Sequence, residues 1–386
     1  MISSAKLNGL FCVVSASLFV IFSSSRPIIG QNSVNQMGLA ARLEVIRSKY
    51  KLPSLAAAIV SDGKLQSSAA IGIRKQGDPT PVTVQDKYHL GSCTKSMTAT
   101  LVAMLVEKGK LKWETTIAEI FPEFKDEMRP EYRAVTLSML CSHHAGLSGV
   151  TLPIGVDWRN LQMSMEKARL KYVQITLKQS PLSRPGTKFL YANSGYVIVG
   201  TILERVMKSG WENLMRTMLF EPLGMKTAGF GPMATSGKVD QPYSHIVQSG
   251  ACIPVAPGPY GDNPMVIGPA GTVHCSIEDF ARYAAFHAVG ESGGSKLLSA
   301  NGFKFLHTPR FSNDYTCGWT SLSRPWAGGK ALMHNGNNTM NYAVMWVAPG
   351  KKLAIVAAAN QGNGDVQAAC DEAVSVALLD LLSANK

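Results

Sequence analysis

Charged residues are scarce in this 386-residue chain, where they make up 17% against 46% hydrophobic residues. This balance excludes an intrinsically disordered protein and predicts a large buried core. The formal net charge is +12, yet the sequence has no long basic run, and its densest basic clusters are pairs such as Arg74-Lys75 and Lys351-Lys352. Because no basic stripe with interleaved aromatic residues is present, nucleic acid is excluded as a partner.

The apolar run at the N-terminus, residues 9–22, falls short of the about 20 residues that a membrane-spanning helix needs. Lys6 precedes this run, and the small polar residues Ser23-Ser24-Ser25 follow it. This order predicts a secretory signal peptide over residues 1–30 and a secreted or periplasmic domain over residues 31–386. An uncleaved signal anchor is the alternative, and it is the only membrane attachment that the sequence suggests.

Metal-ligand spacing is lacking too. There is no Cys-x-x-Cys pair, and the adjacent His143 and His144 have no further ligand at the spacing of a zinc site. The sequence therefore predicts no metal and no organic cofactor. Six cysteines remain after residue 30, and we expect most of them to be buried small hydrophobic residues, with their pairing left open. The six are Cys93, Cys141, Cys252, Cys275, Cys317 and Cys370.

Strands are indicated near both ends of the chain. A helical pattern over residues 39–50 precedes the apolar run 55–60, and the turn Ser61-Asp62-Gly63 joins that run to a strand over residues 64–73, which predicts a hairpin. Later strands are predicted over residues 315–322, 341–347 and 353–359, before a final helix over residues 365–382.

The middle of the chain has the periodicity of helices. These helices are predicted over residues 98–107, 135–141, 157–172, 196–208 and 277–288, the last one capped by Ser276. The economical fold is therefore α+β. An antiparallel sheet built from N- and C-terminal strands (about 36–91 and 310–386) is flanked by helices and carries an inserted, mostly helical part (about 92–300).

Ser92 and Lys95 carry a chemical signal. At a spacing of i, i+3 on a helix both side chains point to one face, and Ser92 would lie at the helix start, where free N–H groups favour an oxyanion. A partly desolvated lysine can lose its proton near neutral pH and serve as base for a serine nucleophile. Ser-x-x-Lys also occurs elsewhere, as at Ser164/Lys167, but only Ser92 follows a glycine at the entry to an apolar helix.

Three short motifs then occur in a consistent order. Gly91-Ser92-Cys93-Thr94-Lys95 resembles the nucleophile helix of the serine β-lactamase/penicillin-binding-protein superfamily, class C branch. Tyr191-Ala192-Asn193 resembles its Tyr-x-Asn segment, and His334-Asn335-Gly336 stands in the place of its Lys/His-x-Gly strand. Residues 136–147, 185–196 and 269–272 are similar to further family segments. The resemblance covers nearly the whole mature chain and implies a β-lactamase/transpeptidase-like fold.

The resemblance also implies a role for each matching residue. Ser92 would form an acyl-enzyme, with Lys95 and Tyr191 sharing the proton transfer. Asn193 would bind the substrate amide, and the backbone N–H groups of Ser92 and Asn337 would form the oxyanion hole. No Glu-x-x-Leu-Asn segment occurs, so Tyr191 and Lys95 would also carry deacylation.

The strand motif departs from the β-lactamases that it resembles, which typically have Lys-Thr-Gly or Lys-Ser-Gly. A cation and a hydroxyl there suit a substrate carboxylate, whereas His334 is titratable and Asn335 has no hydroxyl. We still expect His334 and Gly336 to contact the substrate, but with weak or absent β-lactamase activity. Family members with His here are more like esterases, amidases or D-amino-acid peptidases, which implies a small-molecule or short peptide or ester substrate.

Alternatives remain open. The protein could be a DD-peptidase or β-lactamase acting on peptidoglycan peptides or β-lactams, or a penicillin-binding sensor that is acylated without turnover. Gly290-Glu291-Ser292-Gly293-Gly294 matches the Gly-x-Ser-x-Gly elbow of α/β-hydrolases. That elbow requires a strand before its serine, and a helix is predicted there, so we expect Ser292 to lie in a surface loop.

Overall fold

The computed structural model describes residues 38–149, 151–293 and 295–384. The predicted signal peptide lies outside these residues. The helices are α1 (Leu39–Lys49), α2 (Thr94–Glu107), α3 (Ile117–Ile120), α4 (Leu137–Cys141), α5 (Met165–Lys178), α6 (Asn193–Met207), α7 (Trp211–Met215), α8 (Glu221–Leu223), α9 (Gly268–Gly271), α10 (Ile277–Gly290), α11 (Ala300–His307) and α12 (Val366–Ala384). The strands are β1 (Ser54–Ser61), β2 (Lys64–Lys75), β3 (Asp78–Pro81), β4 (Lys87–His89), β5 (Gly229–Phe230), β6 (Ser244–Gln248), β7 (Ala251–Val255), β8 (Val273–Ser276), β9 (Thr320–Arg324), β10 (Gly329–Asn337), β11 (Tyr342–Ala348) and β12 (Leu353–Ala359).

Seven strands form the main sheet, in the order β3-β2-β1-β12-β11-β10-β9. All neighbouring pairs are antiparallel, and the first and last thirds of the chain meet where Leu55 of β1 lies opposite Ala359 of β12. The hairpin predicted around Ser61-Asp62-Gly63 is confirmed as β1–β2. The predicted α+β fold with an antiparallel sheet from both ends of the chain is therefore confirmed.

Both faces of the main sheet are covered. Successive side chains of a strand point to opposite faces, so the unbroken apolar run of β1 needs two cores. Leu55 and Ile59 pack with α1 and α12, whereas Ala56 and Ala58 pack with α10 and with α2, the helix that follows the candidate nucleophile. Helix α2 therefore packs against this face of the main sheet.

The part of the chain predicted as mostly helical also contains two small sheets. Strands β4, β8 and β5 form one of them, and β6 and β7 form a hairpin. Ser249 and Gly250, at the hairpin turn, have φ angles of +50° and +81°, as tight two-residue turns require. Residues 234–262 are rich in Gly and Pro, and no hairpin is predicted there from the sequence.

Most predicted elements differ from the observed ones by up to four residues at an end, and two begin further than that from their predicted start. Helix α5 begins only at Met165, because Ser164 caps it by accepting the N–H of Lys167. Strand β9 begins at Thr320 and not at Tyr315, because the chain bends at Gly318, whose φ is +80°. A Cβ on Gly318 would lie 2.5 Å from Cα of Ser96, so the bend lets this segment press against the nucleophile helix.

Within the described ranges, no helix combines the length and the apolar character needed to cross a membrane.

Candidate active site

Ser92 lies in a 3₁₀ turn, Gly91–Cys93, that leads directly into α2. Gly91 has a φ of +49°, and a Cβ there would come within 2.6 Å of the backbone nitrogen of Asn337. Glycine is therefore required before the nucleophile both for its backbone conformation and for the close approach of strand β10. The turn presents Ser92 at the N-terminal end of the helix, as the sequence predicts.

Lys95 follows one turn later and is completely buried. Its Nζ lies 3.0 Å from Ser92 Oγ, 2.7 Å from Asn193 Oδ1 and 2.7 Å from the carbonyl oxygen of Ala270. Three oxygens are as many acceptors as an ammonium group has N–H donors. The neutral amine, in turn, would be well placed to accept the Ser92 proton. The structure thus brings together Ser92, Lys95 and Asn193, which the sequence placed in two separate motifs.

Tyr191 lies beside this pair, with the centre of its ring 4.9 Å from Lys95 Nζ. The ring of His143 packs against it at a centroid distance of 4.3 Å. His143 has a φ of +62°, and its Nδ1 accepts the N–H of Ala192, the residue between Tyr191 and Asn193. Desolvation, with Lys95 and His334 nearby, holds the pKa of His143 well below its usual value, so His143 is a neutral support of the Tyr191 segment.

Asn193 begins helix α6 and contacts two parts of the site. Its Oδ1 accepts from Lys95, while its Nδ2 donates to the hydroxyl of Thr151 at 3.1 Å. The loop that contains Thr151 reaches further across the protein, because Arg159 donates to the carbonyl oxygen of Asp262 at 2.6 Å. Asn193 thus connects the lysine to the loop that contains Thr151.

Strand β10 contacts the nucleophile turn through its backbone. A Cβ on Gly336 would lie 1.9 Å from the carbonyl oxygen of Leu90 and 2.6 Å from the backbone nitrogen of Ser92. Only glycine allows this approach. The next residue, Asn337, has its side chain fixed by donation to the carbonyl oxygen of Gly362 at 2.6 Å. The backbone amides of Ser92 and Asn337 therefore lie in the same small region.

His334 is buried on the same strand, and both ring nitrogens are engaged. Nε2 lies 2.9 Å from the hydroxyl of Tyr315, and Nδ1 lies 2.6 Å from the carbonyl oxygen of Asn335. Desolvation, followed by the charge of Lys95, lowers the pKa of His334 to about 3. The imidazole is therefore neutral near pH 7 and offers no positive charge to a substrate carboxylate. Asn335 directs its Nδ2 to the hydroxyl of Tyr342 at 3.1 Å.

Two competing nucleophiles can be placed. Cys93, next to Ser92, is fully buried, and this burial raises the pKa of its thiol far above the usual value, as expected of a packing residue. Five of the six described cysteines are buried, which confirms that most of them pack in the core. Ser292 lies exposed in a turn just after α10, where its hydroxyl donates to the carbonyl oxygen of Val289 at 2.7 Å. The predicted surface position of Ser292 is confirmed.

Sequence reasoning missed several contributors to the site. The Ala270 carbonyl has no side-chain signal, and Thr151 and Tyr315 belong to no recognised motif. His143 enters the sequence analysis only as a metal ligand without partners, whereas the structure places its ring directly on Tyr191. Its neighbour His144 stacks on Phe311 at 4.1 Å.

The antiparallel sheet, the covering helices and the contact between Ser92 and the buried Lys95 together define a serine hydrolase of the β-lactamase and penicillin-binding-protein type. The family model described as Beta-lactamase matches residues 39–378. The chain therefore belongs to the β-lactamase family.

Curated relatives and solved structures agree with this assignment. Penicillin-binding protein 4 of Amycolatopsis lactamdurans is 27% identical over 336 residues, covering 83% of this chain and 84% of that protein. The unguisins hydrolase of Aspergillus violaceofuscus is 25% identical over 61% of this chain and 42% of its own length. An octameric penicillin-binding protein homologue from Pyrococcus abyssi superposes with a TM-score of 0.71 at 23% identity, covering 88% of this chain and 76% of that one. SurE superposes with a TM-score of 0.72 at 20% identity, covering 90% and 76%. The last two likenesses concern the fold.

Proposed function

We propose that this protein hydrolyses ester or amide bonds through an acyl-enzyme on Ser92. Oγ of Ser92 attacks the carbonyl carbon while its proton passes to the Lys95/Tyr191 pair, which then protonates the leaving alcohol or amine. Water attacks the acyl-enzyme in the second half, assisted by the same pair. The backbone N–H groups of Ser92 and Asn337 bind the oxyanion, and Asn193 binds the substrate amide.

The observation that carries this proposal is the 3.0 Å contact between Nζ of the buried Lys95 and Oγ of the partly exposed Ser92. Burial disfavours the ammonium form of a lysine and so favours the neutral amine that a general base requires. The hydroxyl of Ser292, by contrast, donates to a backbone carbonyl.

The substrate class follows from strand β10. A carboxylate next to the scissile bond, as in a penicillin or a peptide C-terminus, is bound best by a cation and a hydroxyl. The neutral His334 and the inward-bonded Asn335 supply neither. We therefore favour substrates without that carboxylate, such as neutral esters, amides or internal peptide bonds. We also propose that residues 1–30 are a signal peptide that directs export of the protein to the periplasm or to the outside of the cell.

A fluorophosphonate probe, followed by intact-mass spectrometry, tests the nucleophile. Wild type and Ser292→Ala should each gain one probe adduct, and Ser92→Ala should gain none. Ser292→Ala is the matched control because it removes the serine of the competing motif from an exposed turn. Labelling that persists in Ser92→Ala and disappears in Ser292→Ala would overturn the assignment.

The second candidate function is a DD-peptidase or β-lactamase, favoured by the likeness to a penicillin-binding protein. Rapid steady-state turnover of a cephalosporin reporter would establish it over the first. A single burst of acylation with no steady-state rate would instead identify a penicillin-binding sensor. Linear hydrolysis of p-nitrophenyl esters with little cephalosporin turnover is the result that we expect.

A further inference from the structure

Behind the proposed oxyanion hole lies a buried polar cluster that the reaction scheme does not use. It consists of His89, at the end of β4, Asp262, in the loop after β7, and Asn338, directly after β10. These side chains are between 1% and 4% exposed. Three segments distant in sequence therefore meet at one carboxylate, which we call the Asp262 cluster.

His89 connects this cluster to the nucleophile turn. Its Nδ1 accepts the N–H of Gly91 at 3.1 Å, so Nδ1 carries no hydrogen and Nε2 is the ring nitrogen that can donate. Nε2 lies 2.9 Å from Asp262 Oδ1, although its N–H is not aligned as in a good hydrogen bond. Through His89, the carboxylate therefore sets the position of Gly91, whose neighbour is Ser92.

Asn338 connects the same carboxylate to the end of strand β10. Its Nδ2 donates to Asp262 Oδ1 at 2.8 Å. Asn338 directly follows Asn337, the second proposed oxyanion donor. The N–H of Asn263 also donates to Oδ1 at 2.6 Å and so fixes the carboxylate from its own loop. One oxygen atom thus accepts from Asn338 and also lies 2.9 Å from Nε2 of His89, the ring that accepts from Gly91.

Stability alone does not account for this arrangement. A buried carboxylate has a large desolvation cost, which good hydrogen bonds must offset. Oδ2 of Asp262 is buried and has no hydrogen-bond partner among the described residues. Buried polar atoms without partners are uncommon and call for an explanation other than packing.

We propose that Asp262, with His89 and Asn338, is a positioning clamp that sets the spacing between the Ser92 and Asn337 backbone N–H groups. The clamp deepens the proposed function, on which it rests. Asp262 does not touch the substrate carbonyl in this scheme. It acts through the backbone on either side, and removing its charge loosens both amides together.

The test compares two substrates on Asp262→Asn, a variant that keeps the shape of the side chain. One is a p-nitrophenyl ester, and the other is the thionoester with the same acyl group, whose sulfur gains less from an oxyanion hole. Removing one oxyanion donor typically costs about 100-fold or more in rate, so a misplaced pair should cost about tenfold or more in kcat/KM on the oxygen ester. The thionoester should lose less, so the oxygen-to-sulfur rate ratio falls while KM changes little.

Two further variants separate positioning from folding. In Asp262→Asn/Asn338→Asp the donor and the acceptor exchange places, and we expect part of the lost rate ratio to return. Asp279→Asn is the matched control, since Asp279 is 5% exposed and its carboxylate accepts from Thr227. Asp279→Asn is expected to lower the melting temperature and leave the rate ratio unchanged.

The outcomes are distinguishable. If Ser92→Ala hydrolyses the ester as fast as wild type, the proposed function fails. If turnover depends on Ser92 but Asp262→Asn keeps the wild-type rate ratio, the clamp is wrong and the proposed function stands. An equal loss on both substrates without recovery in the double variant assigns the cluster to folding alone and also overturns the clamp.

Discussion

The site has two sides that differ in their electrostatics. We call the side formed by Ser92, Lys95 and Asn193 the nucleophile wall, and the side formed by His334 and Asn335 of β10 the strand wall. The nucleophile wall contains a buried lysine surrounded by three oxygen atoms, from Ser92, Asn193 and Ala270. The strand wall contains His334 and Asn335, and both side chains are uncharged near pH 7 and hydrogen-bonded within the protein. The groups for chemistry on a carbonyl are therefore assembled, whereas the charge for holding a substrate carboxylate is missing.

This difference indicates that reaction and recognition are separable in the fold. The nucleophile wall needs only a carbonyl, an oxyanion site and a route for one proton. The strand wall decides which carbonyl compounds come near. Changing the side chains of His334 and Asn335 should therefore leave the reaction at Ser92 intact, and the following experiments test that independence.

The largest effect is expected from Lys95→Met, which removes the proposed base of the nucleophile wall. General base catalysis contributes roughly 100- to 10,000-fold, so kcat/KM for a p-nitrophenyl ester should fall about 1,000-fold. Lys178→Met, which removes an exposed lysine paired with Glu127, controls for loss of a charge. A folded Lys95→Met within tenfold of wild type would contradict the role of Lys95.

Gly336→Ala should disrupt the meeting of the two walls. The new Cβ would lie 1.9 Å from the Leu90 carbonyl oxygen and 2.6 Å from the Ser92 nitrogen, so one backbone must shift. We expect fluorophosphonate labelling to slow by about 100-fold, the cost of a lost oxyanion donor. Gly258→Ala is the control, because a Cβ there meets nothing within 4 Å. Normal labelling of Gly336→Ala would show that the approach of β10 does not matter.

A smaller gain is expected from His334→Lys/Asn335→Thr, which restores a cation and a hydroxyl to the strand wall. Hydrogen bonds to charged groups contribute about 1.5–3 kcal/mol, so acylation by a cephalosporin should accelerate about tenfold. His334→Gln controls for the lost contact with Tyr315. If the folded double variant shows no gain, the strand wall does not limit carboxylate recognition.

The smallest effect concerns pH. Because the pKa of His334 is about 3, the KM of a carboxylate-bearing substrate should stay within about twofold between pH 8 and 5, where His334 remains neutral. A KM that falls as His334 titrates near pH 6 would instead show that it binds anions as a cation.

The same group should affect stability with a definite sign. In the unfolded chain a histidine takes up its proton near pH 6.5, whereas folded His334 does so only near pH 3. Protonation therefore favours unfolding, and stability decreases as the pH falls below 6.5. At pH 5 the loss from His334 is about 2 kcal/mol. Unfolding by denaturant at pH 7 and 5 measures it, and His334→Gln should show a smaller difference between the two pH values.

The sequence predicted those features that depend on local patterns or on recognised motifs. The β1–β2 hairpin follows from one turn signal between two apolar runs, and the Ser92/Lys95 pair follows from helical spacing. Tyr191 and Asn193 required the family resemblance, because Lys95 and Asn193 are 98 positions apart. The bounds of α5 were wrong because the capping effect of Ser164 outweighed the periodicity over residues 157–164.

The Asp262 cluster could not be predicted, and the reason is physical. His89, Asp262 and Asn338 lie in three different loops or strand ends, and no period or spacing connects them. The residues before Ser92 include the charged Asp86 and Lys87, so the polar His89 does not stand out in the sequence. Likewise, the sequence shows that His334 is titratable, but only its surroundings show that it stays neutral.

The order of the strands has a consequence for how this protein becomes active. Ser54 bonds to Asn360, 306 residues away, and Cys93 meets the strand of His334, 241 residues away. Contacts of such long range form late in folding, because closing large loops is entropically unfavourable. A growing chain therefore carries its serine and lysine long before the strand that completes their surroundings has been made. We therefore expect activity to appear only when the last third of the chain has joined the sheet.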